Sequence, residues 1–191
     1  MCYCRPDTTW ERENRDFYSP ECVNKLLWTP VIFARISKAG KCIGAKFAQR
    51  YYDAVGCGML MYGTIYCSED GCEPSSERIS SCIDHTSILP MPMYDPVVLE
   101  NEKVLQVGVT SASTDTDGPS VLYTETIIPK ASRTILEEAV CKASQLTSLR
   151  IGDYVAVEMA LPAVLADRSA GEVSVKGTFC ENEIFGFKII F

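Results

Sequence analysis

The chain has 191 residues, of which 47% are apolar and 23% charged, and this balance is typical of a globular protein. It excludes disorder, collagen and coiled coil as descriptions of the whole chain. The formal net charge is −7, from 18 basic and 25 acidic residues. Because nucleic acids and anionic membrane surfaces are bound through clustered Lys and Arg, neither is an expected partner of this chain.

The sequence has no run of about 18 apolar residues, the length that a membrane-spanning helix needs. Its first residues lack the basic stretch and apolar core of a secretory signal. We therefore expect a single cytoplasmic domain over residues 1–191, with thiols that are reduced and often buried. The ten cysteines include no Cys-x-x-Cys pair and are accompanied by one histidine, His85, so a structural zinc site is not indicated.

The first part of the chain gives two kinds of signal. Residues 1–20 are polar and aperiodic, and they are expected to form an arm or a short hairpin. Ser19 followed by Pro20 is typical of a helix start, which predicts a short helix at 22–28. Residues 31–36 are apolar and β-branched, and they predict a strand.

Three further elements are predicted before the middle of the chain. The apolar residues of 45–55 recur at helical spacing, and Gly56 is placed to end such a helix. Residues 57–67 are apolar and predict another strand. Residues 68–78 have the composition of a loop.

The second half is predicted to alternate strands with one long helix. Strands at 104–110 and 121–128 flank a polar loop at 111–120. The clearest helix covers 132–148, where apolar residues form a continuous stripe on one face. It is followed by a strand at 154–159.

The end of the chain is predicted to form a β-hairpin. Alternate residues of 173–179 are apolar or small, and those of 185–191 form a matching face. Strands that are distant in sequence, together with isolated helices, indicate an α+β fold that is mostly β.

Few residues offer catalytic chemistry. His85 is the one histidine, and it either acts in catalysis or makes local hydrogen bonds in a loop. Asp84 precedes it, but neighbours in sequence rarely form a catalytic triad. Glu158 lies within an apolar strand, where it is either a functional carboxylate or an outward-pointing residue of a half-exposed sheet.

Several segments nevertheless resemble the fumarylacetoacetate hydrolase family. In that family a strand ending in a Gly-Lys turn leads into an Ala-x-Arg-Tyr-Tyr-Asp helix, as in residues 35–43 (RISKAGKCI) and 47–55 (FAQRYYDAV). Residues 5–8 (RPDT) are similar to its Lys-Pro-Asp-Ser segment. Residues 147–154 (TSLRIGDY) are similar to its Thr-Leu-x-x-Gly-Asp approach to the last active-site loop.

The resemblance covers nearly the whole chain and has implications for its structure. It implies the mixed β-sandwich roll of the family's C-terminal domain, with two or three short helices. It implies an extended chain, rather than a helix, at 22–28. It also implies a homodimer, because family members commonly assemble in that form.

The same resemblance implies that the family's metal site has been lost. Members bind Mg²⁺ or Mn²⁺ through a Glu-x-Glu pair and a later Asp, and these positions correspond to Thr29, Val31 and Leu60. A hard divalent cation needs anionic oxygen ligands, so no metal cofactor is expected. The family's lysine corresponds to Ser81, and its oxyanion loop corresponds to 157–160, which includes Met159. Its general-base His and Glu lie in a segment before the expected start of this chain.

Two functions are consistent with this pattern. The first is a non-catalytic relative, a pseudoenzyme, which binds a small ligand or pairs with itself or an active relative. A site floored by Val31, Leu60 and Met159 would be apolar and suited to such binding. The second is a hydrolase, decarboxylase or isomerase of a small oxo-acid with a relocated or metal-free site. Its candidate residues are Asp84, His85 and Glu158. A third alternative is a different fold, with the resemblance confined to one strand and helix.

Overall fold

The computed structural model describes residues 2–66, 77–100, 105–113, 120–127, 129–179 and 182–191. In chain order, the strands within these ranges are β1 (Trp10–Glu11), β2 (Phe17–Tyr18), β3 (Val23–Ile36), β4 (Tyr52–Tyr66), β5 (Glu77–Ser80), β6 (Ser87–Ile88), β7 (Leu105–Ser113), β8 (Ser120–Ile127), β9 (Tyr154–Glu158), β10 (Ala163–Asp167), β11 (Glu172–Phe179) and β12 (Asn182–Ile190). The helices are α1 (Pro129–Leu146) and short 3-10 helices at Asp7–Thr9, Ala45–Arg50, Pro96–Leu99 and Arg168–Ala170.

The strands form two sheets, in agreement with the predicted α+β, mostly β fold. The first sheet is built on the long antiparallel pair β3–β4, in the order β1-β6-β4-β3-β10. Strand β5 also pairs with β4, and β9 pairs with the second half of β3. The second sheet has the order β2-β12-β11-β7-β8.

Alternation along β3 sends its side chains to opposite faces of the first sheet. On the inner face, Leu26 and Trp28 pack against the second sheet in the sandwich cluster. Further along the same face, Ile32 and Ala34 pack with residues of α1 in the helix-side cluster. The opposite face carries a third group, the outer cluster. Its buried residues are Val31, Phe33, Leu60, Tyr62 and Leu89, with Trp10, Leu27, Met93 and Tyr154 packed against them.

The N-terminal segment is part of both sheets. Strand β1 pairs in parallel with β6, and β2 pairs in parallel with β12. The prediction of an arm or a hairpin at 1–20 is therefore wrong, because its two short strands join different sheets. The physical reason is burial: Phe17 enters the sandwich cluster, and Trp10 packs against the outer cluster.

Two predicted helices are replaced by strand. From Val23 onward, the predicted helix at 22–28 lies in β3, as the family resemblance implied, because Val23, Leu26 and Trp28 pack into the sandwich cluster. The predicted helix at 45–55 is a 3-10 helix that ends at Arg50, and β4 begins at Tyr52. Pairing with β3 outweighs the helical spacing of this segment. Gly56 therefore lies inside β4, opposite Phe33, and ends no helix.

The other elements agree with the sequence more closely. The long helix begins earlier than predicted, at Pro129, and ends at Leu146. The terminal hairpin is confirmed as the antiparallel pair β11–β12. Residues 67–76 and 114–119, on which parts of the predicted loops fall, lie outside the described residues. None of the described helices is long and apolar enough to cross a membrane.

The cysteines whose positions are described carry free thiols. Cys57 is buried, as predicted from the small apolar character of this side chain. Burial is less frequent among the described cysteines than expected, since Cys2, Cys4, Cys22, Cys42 and Cys82 are exposed. These thiols lie outside the regular strands, where little packs against a short side chain.

Candidate functional site

The residues predicted to replace the metal ligands lie close together on the first sheet. Thr29 and Leu60 are directly opposed on β3 and β4, and Val31 is opposed to Glu158 on β9. Val31 is 0% exposed and Leu60 is 5% exposed, and both belong to the outer cluster. These positions therefore form the floor of the outer face and are part of a packed core.

The floor is closed from above by the chain around β6. Gly58, which is opposed to Val31, has the backbone of Ile88 directly over it. A Cβ at Gly58 would lie 2.2 Å from the Ile88 carbonyl oxygen, so even one methyl group would not fit. The Thr29 hydroxyl is also occupied, because it donates to the carbonyl oxygen of Ala160 at 2.6 Å.

These residues do not fit a divalent cation. Mg²⁺ and Mn²⁺ need several oxygen ligands, with carboxylates supplying the negative charge. Here two of the positions are hydrocarbon and the third is a hydroxyl engaged elsewhere. Across the part of the chain that the structure describes, no three His, Cys, Asp or Glu side chains are grouped to hold a metal ion.

Two other predicted positions lie away from this floor. Met159 packs against the helix-side cluster, on the opposite face from Val31 and Leu60. The prediction that Met159 belongs to an apolar floor is therefore wrong, and the reason is the alternation of side chains beyond Glu158. Ser81 follows β5 in a half-exposed turn, where its hydroxyl is 3.9 Å from the Cys82 Sγ.

A polar group, the rim cluster, lies at the edge of the floor and consists of Tyr3, Arg5, Tyr62 and Glu158. The hydroxyl oxygens of Tyr3 and Tyr62 are 2.6 Å apart, and each lies 2.5 Å from Glu158 Oε1. The Arg5 guanidinium lies over the Tyr62 ring, 5.2 Å from its centroid. Glu158 is thus held by two phenols at the surface.

Arg5 is the partly buried cation of the rim cluster. Its Nη2 donates to the Met61 carbonyl oxygen at 2.8 Å and to Thr86 Oγ1 at 2.6 Å. Its Nε and Nη1 are buried and have no acceptor among the described residues. Burial lowers the pKa of Arg5, because removal from water penalises the charged form.

The two phenols of the rim cluster are held in their neutral form. Burial, followed by the hydrogen bond to Glu158, raises the pKa of Tyr3 to about 12. Burial and the same carboxylate raise the pKa of Tyr62 well above its usual range. Near neutral pH both side chains are therefore hydrogen-bond donors and not bases.

Alkaline pH should destabilise the protein through these phenols. Tyrosines of the unfolded chain ionise near pH 10, whereas Tyr3 and Tyr62 keep their protons in the folded chain. Above about pH 10 the unfolded state binds fewer protons, so the free energy of unfolding falls as the pH rises toward 12 and beyond. Urea unfolding at pH 9 and pH 11 measures this fall, and Tyr62→Phe should reduce it. Tyr18→Phe, at a residue 71% exposed, is the control; equal falls in both variants would contradict the assignment.

His85 makes a separate contact. Its Nδ1 lies 2.9 Å from Oε2 of the buried Glu11, whose Oε1 accepts the backbone N–H of Glu13 at 2.6 Å. The His85 backbone N–H donates to the Thr8 carbonyl oxygen at 3.1 Å. These are the local hydrogen bonds of a loop histidine, and they tie the N-terminal segment to the turn before β6.

The three candidate catalytic residues do not converge. Asp84 and His85 line an open groove of about 890 Å³ beside residues 14–18. Glu158 belongs to the rim cluster instead, and no hydrogen bond or ion pair among the described residues joins it to the other two.

Replacing His85 should therefore cost stability. In His85→Ala the buried Glu11 carboxylate loses its side-chain partner, and we expect the free energy of unfolding to fall by about 2 kcal/mol. Asp84→Ala changes an exposed side chain next to it and should alter stability by less than about 0.5 kcal/mol. Chemical denaturation of both variants measures the difference. A His85→Ala protein as stable as the wild type would show that the contact with Glu11 does not contribute to stability.

Sequence reasoning did not identify four residues of these clusters as functional: Tyr3, Arg5, Glu11 and Tyr62. Tyr62 had a usable signal, because it lies two residues beyond Leu60 and so faces the same side of β4. The others reach the site from the N-terminal segment, which gives no periodic signal.

No protein-family model and no curated protein matches the sequence. Solved structures do match. Fumarylpyruvate hydrolase from Pseudomonas aeruginosa, solved with Mn²⁺ and pyruvate, is 15% identical over 99% of this chain and 78% of its own, with a TM-score of 0.65. A protein assigned to the fumarylacetoacetate hydrolase family from Yersinia pestis CO92 is 11% identical, over 97% and 83%, with a TM-score of 0.67.

An enzyme of a different reaction class matches equally well. The 5-carboxymethyl-2-hydroxymuconate delta-isomerase from Mycobacterium smegmatis is 14% identical over 98% of this chain and 68% of its own, with a TM-score of 0.64. At such identities these likenesses establish the fold. They do not establish a reaction, because hydrolase and isomerase share it.

Proposed function

We propose that this chain, which has the fold of the fumarylacetoacetate hydrolase family, is a non-catalytic protein that uses the fold for binding. In this proposal it holds no Mg²⁺ or Mn²⁺ and does not cleave or isomerise an oxo-acid. It acts by binding a small ligand or by pairing with a second copy or an active relative. A cytoplasmic location remains part of the proposal.

One observation carries it. The positions that the family resemblance assigns to the three metal carboxylates are Thr29, Val31 and Leu60, and all three are buried. Val31 and Leu60 pack together with Phe33 in the outer cluster. A cation at these three positions would receive no anionic ligand from them and would lie against the hydrocarbon side chains of Val31 and Leu60, an arrangement that carries a large desolvation cost.

A second function, catalysis at a metal-free site, has one feature in its favour. His85 is half-exposed, and its Nδ1 is held by a buried carboxylate, Glu11. A carboxylate in that position orients an imidazole and leaves its other nitrogen available as a base. The groove beside it has room for a small substrate.

A turnover assay separates the two functions. The purified chain is incubated with fumarylpyruvate in the presence of Mn²⁺, Mg²⁺ or EDTA, and the P. aeruginosa fumarylpyruvate hydrolase serves as the positive control. The proposal predicts no turnover above the protein-free rate in any of the three conditions. Turnover that requires Mn²⁺ would overturn it.

The assay also has an outcome specific to the second function. Turnover that persists in EDTA and is lost in His85→Asn and Glu11→Gln would establish the metal-free site. Asp84→Asn and Glu158→Gln, measured in the same series, would define whether either carboxylate takes part.

A further inference from the structure

Arg5 carries a partly buried positive charge that is near Glu158 but forms no direct ion pair among the described residues. Among the described residues, no carboxylate forms an ion pair with its guanidinium, although the chain has an excess of acidic residues. Glu158, the acid of the rim cluster, instead accepts hydrogen bonds from Tyr3 and Tyr62. Buried charges in proteins are normally paired, because an isolated one is costly to remove from water.

The free donors of Arg5 add to this imbalance. A guanidinium has five N–H groups and cannot lose its charge near neutral pH. Here Nη2 is satisfied by the Met61 carbonyl oxygen and by Thr86 Oγ1, while Nε and Nη1 are buried without an acceptor. An oxygen-rich group that reached these donors would satisfy both the charge and the hydrogen bonds.

The guanidinium is also fixed in position. It lies over the Tyr62 ring, 5.2 Å from the centroid, and the aromatic face favours a cation there. Its two bonds to Met61 and Thr86 hold it against β4 and the turn before β6. A donor group that is already ordered loses little conformational entropy when an anion binds.

The surroundings of Arg5 restrict the kind of anion. Tyr62 belongs to the outer cluster, so the surface next to the guanidinium is aromatic and aliphatic. Tyr3 lies on the solvent side, half-exposed and preceded by the exposed Cys2. Its hydroxyl is hydrogen-bonded to Tyr62 and Glu158, and admission of a ligand to Arg5 from this side would require the Tyr3 side chain to move.

We propose that Arg5 is the anion-binding group of this protein and that it takes the oxyanion head of a small ligand with an apolar body. The head is a carboxylate or a phosphate, since both present several oxygens to a guanidinium. The inference rests on the proposed function, because it assigns the binding of an anion to the Arg5 guanidinium instead of to a metal ion.

The test uses benzoate as the probe, with benzamide as its neutral counterpart of the same shape and inorganic phosphate as the second anion. Each is titrated into the full chain by calorimetry at low chloride, which otherwise competes for the guanidinium. Arg5→Met removes the charge and keeps an apolar stem. Arg15→Met is the control, because Arg15 is exposed and paired with Glu13.

The proposal predicts that benzoate binds the wild type and Arg15→Met, and that Arg5→Met weakens it at least tenfold. Benzamide should bind no better to the wild type than to Arg5→Met. Phosphate binding with the same dependence on Arg5 would show that the oxyanion head is sufficient. Benzoate binding alone would assign the site to carboxylates with an apolar body.

Two results would overturn the inference: neither anion binds the wild type, or Arg5→Met binds both as well as the wild type does. Folding of Arg5→Met is checked by its ligand-free melting temperature. If that variant fails to fold, the Arg5 Nε–H resonance of the wild type replaces it, and benzoate must shift that resonance. Mn²⁺ is titrated into the same sample as a separate test. Binding of Mn²⁺ would count against the proposed function, whereas the absence of anion binding would count only against the role of Arg5.

Discussion

Val31→Glu is expected to lower the free energy of unfolding by about 4 kcal/mol, a large part of the roughly 5–15 kcal/mol that is typical of a folded domain. Val31 is fully buried in the outer cluster, beneath the chain around β6. A carboxylate there would lie among the aromatic and aliphatic side chains of the outer cluster. In an open metal site the same carboxylate would lie among other ligands and would be tolerated.

The measurement is urea denaturation of Val31→Glu and of a matched variant, Val164→Glu. Val164 lies on the edge strand β10 and is 59% exposed, so the same change there should cost less than about 0.5 kcal/mol. Equal and small losses in both variants would show that the floor is open to solvent. That result would contradict the description of the outer face as a packed core.

Phe33→Ala should be almost as damaging, with a loss of about 4 kcal/mol from the free energy of unfolding. The Phe33 ring is buried in the outer cluster and lies directly over Gly56, where a Cβ would come within 2.6 Å of its Cζ. Its centroid is 6.0 Å from that of Tyr154 in an edge-to-face arrangement. Truncation leaves a cavity between two strands that cannot close it.

Phe47→Ala is the control for this prediction, because Phe47 lies on a 3-10 helix and is 42% exposed. The free energy of unfolding of Phe47→Ala should fall by less than about 1 kcal/mol. Denaturation curves with equal slopes and different midpoints would confirm that only stability has changed. A Phe33→Ala protein as stable as Phe47→Ala would mean that the outer cluster contributes little to the fold.

Much of the fold could be predicted from the pattern of apolar residues. The β11–β12 hairpin has clear alternation, the second half of β3 is a nearly continuous apolar run, and the stripe of α1 is long enough to be unambiguous. In segment 45–55 the helical spacing of Phe47, Tyr51 and Val55 is misleading. Pairing of Tyr52 and Val55 with β3 makes this part of the segment a strand. Such long-range pairing cannot be recognised from the local sequence.

The candidate site was partly accessible to the same reasoning. Val31 and Leu60 were placed together through the family resemblance, and the pairing of β3 with β4 brings them onto one face. Met159 faces the other side of the sheet, because it directly follows the last residue of β9, and the side that such a residue faces cannot be read from a loop motif. Arg5 and Glu11 arrive from a segment without periodicity, so only tertiary structure brings them to Tyr62 and His85.

The most direct test of the central claim, a fold without its metal site, is equilibrium binding of Mn²⁺ to the purified chain, followed by the resonance of free Mn²⁺ and by thermal denaturation. We predict no saturable binding and no change in melting temperature at millimolar Mn²⁺. A cation that bound the folded state would stabilise it by about 2.7 kcal/mol at a hundredfold excess over its dissociation constant. Saturable binding of one Mn²⁺ per chain with such a shift would contradict the account.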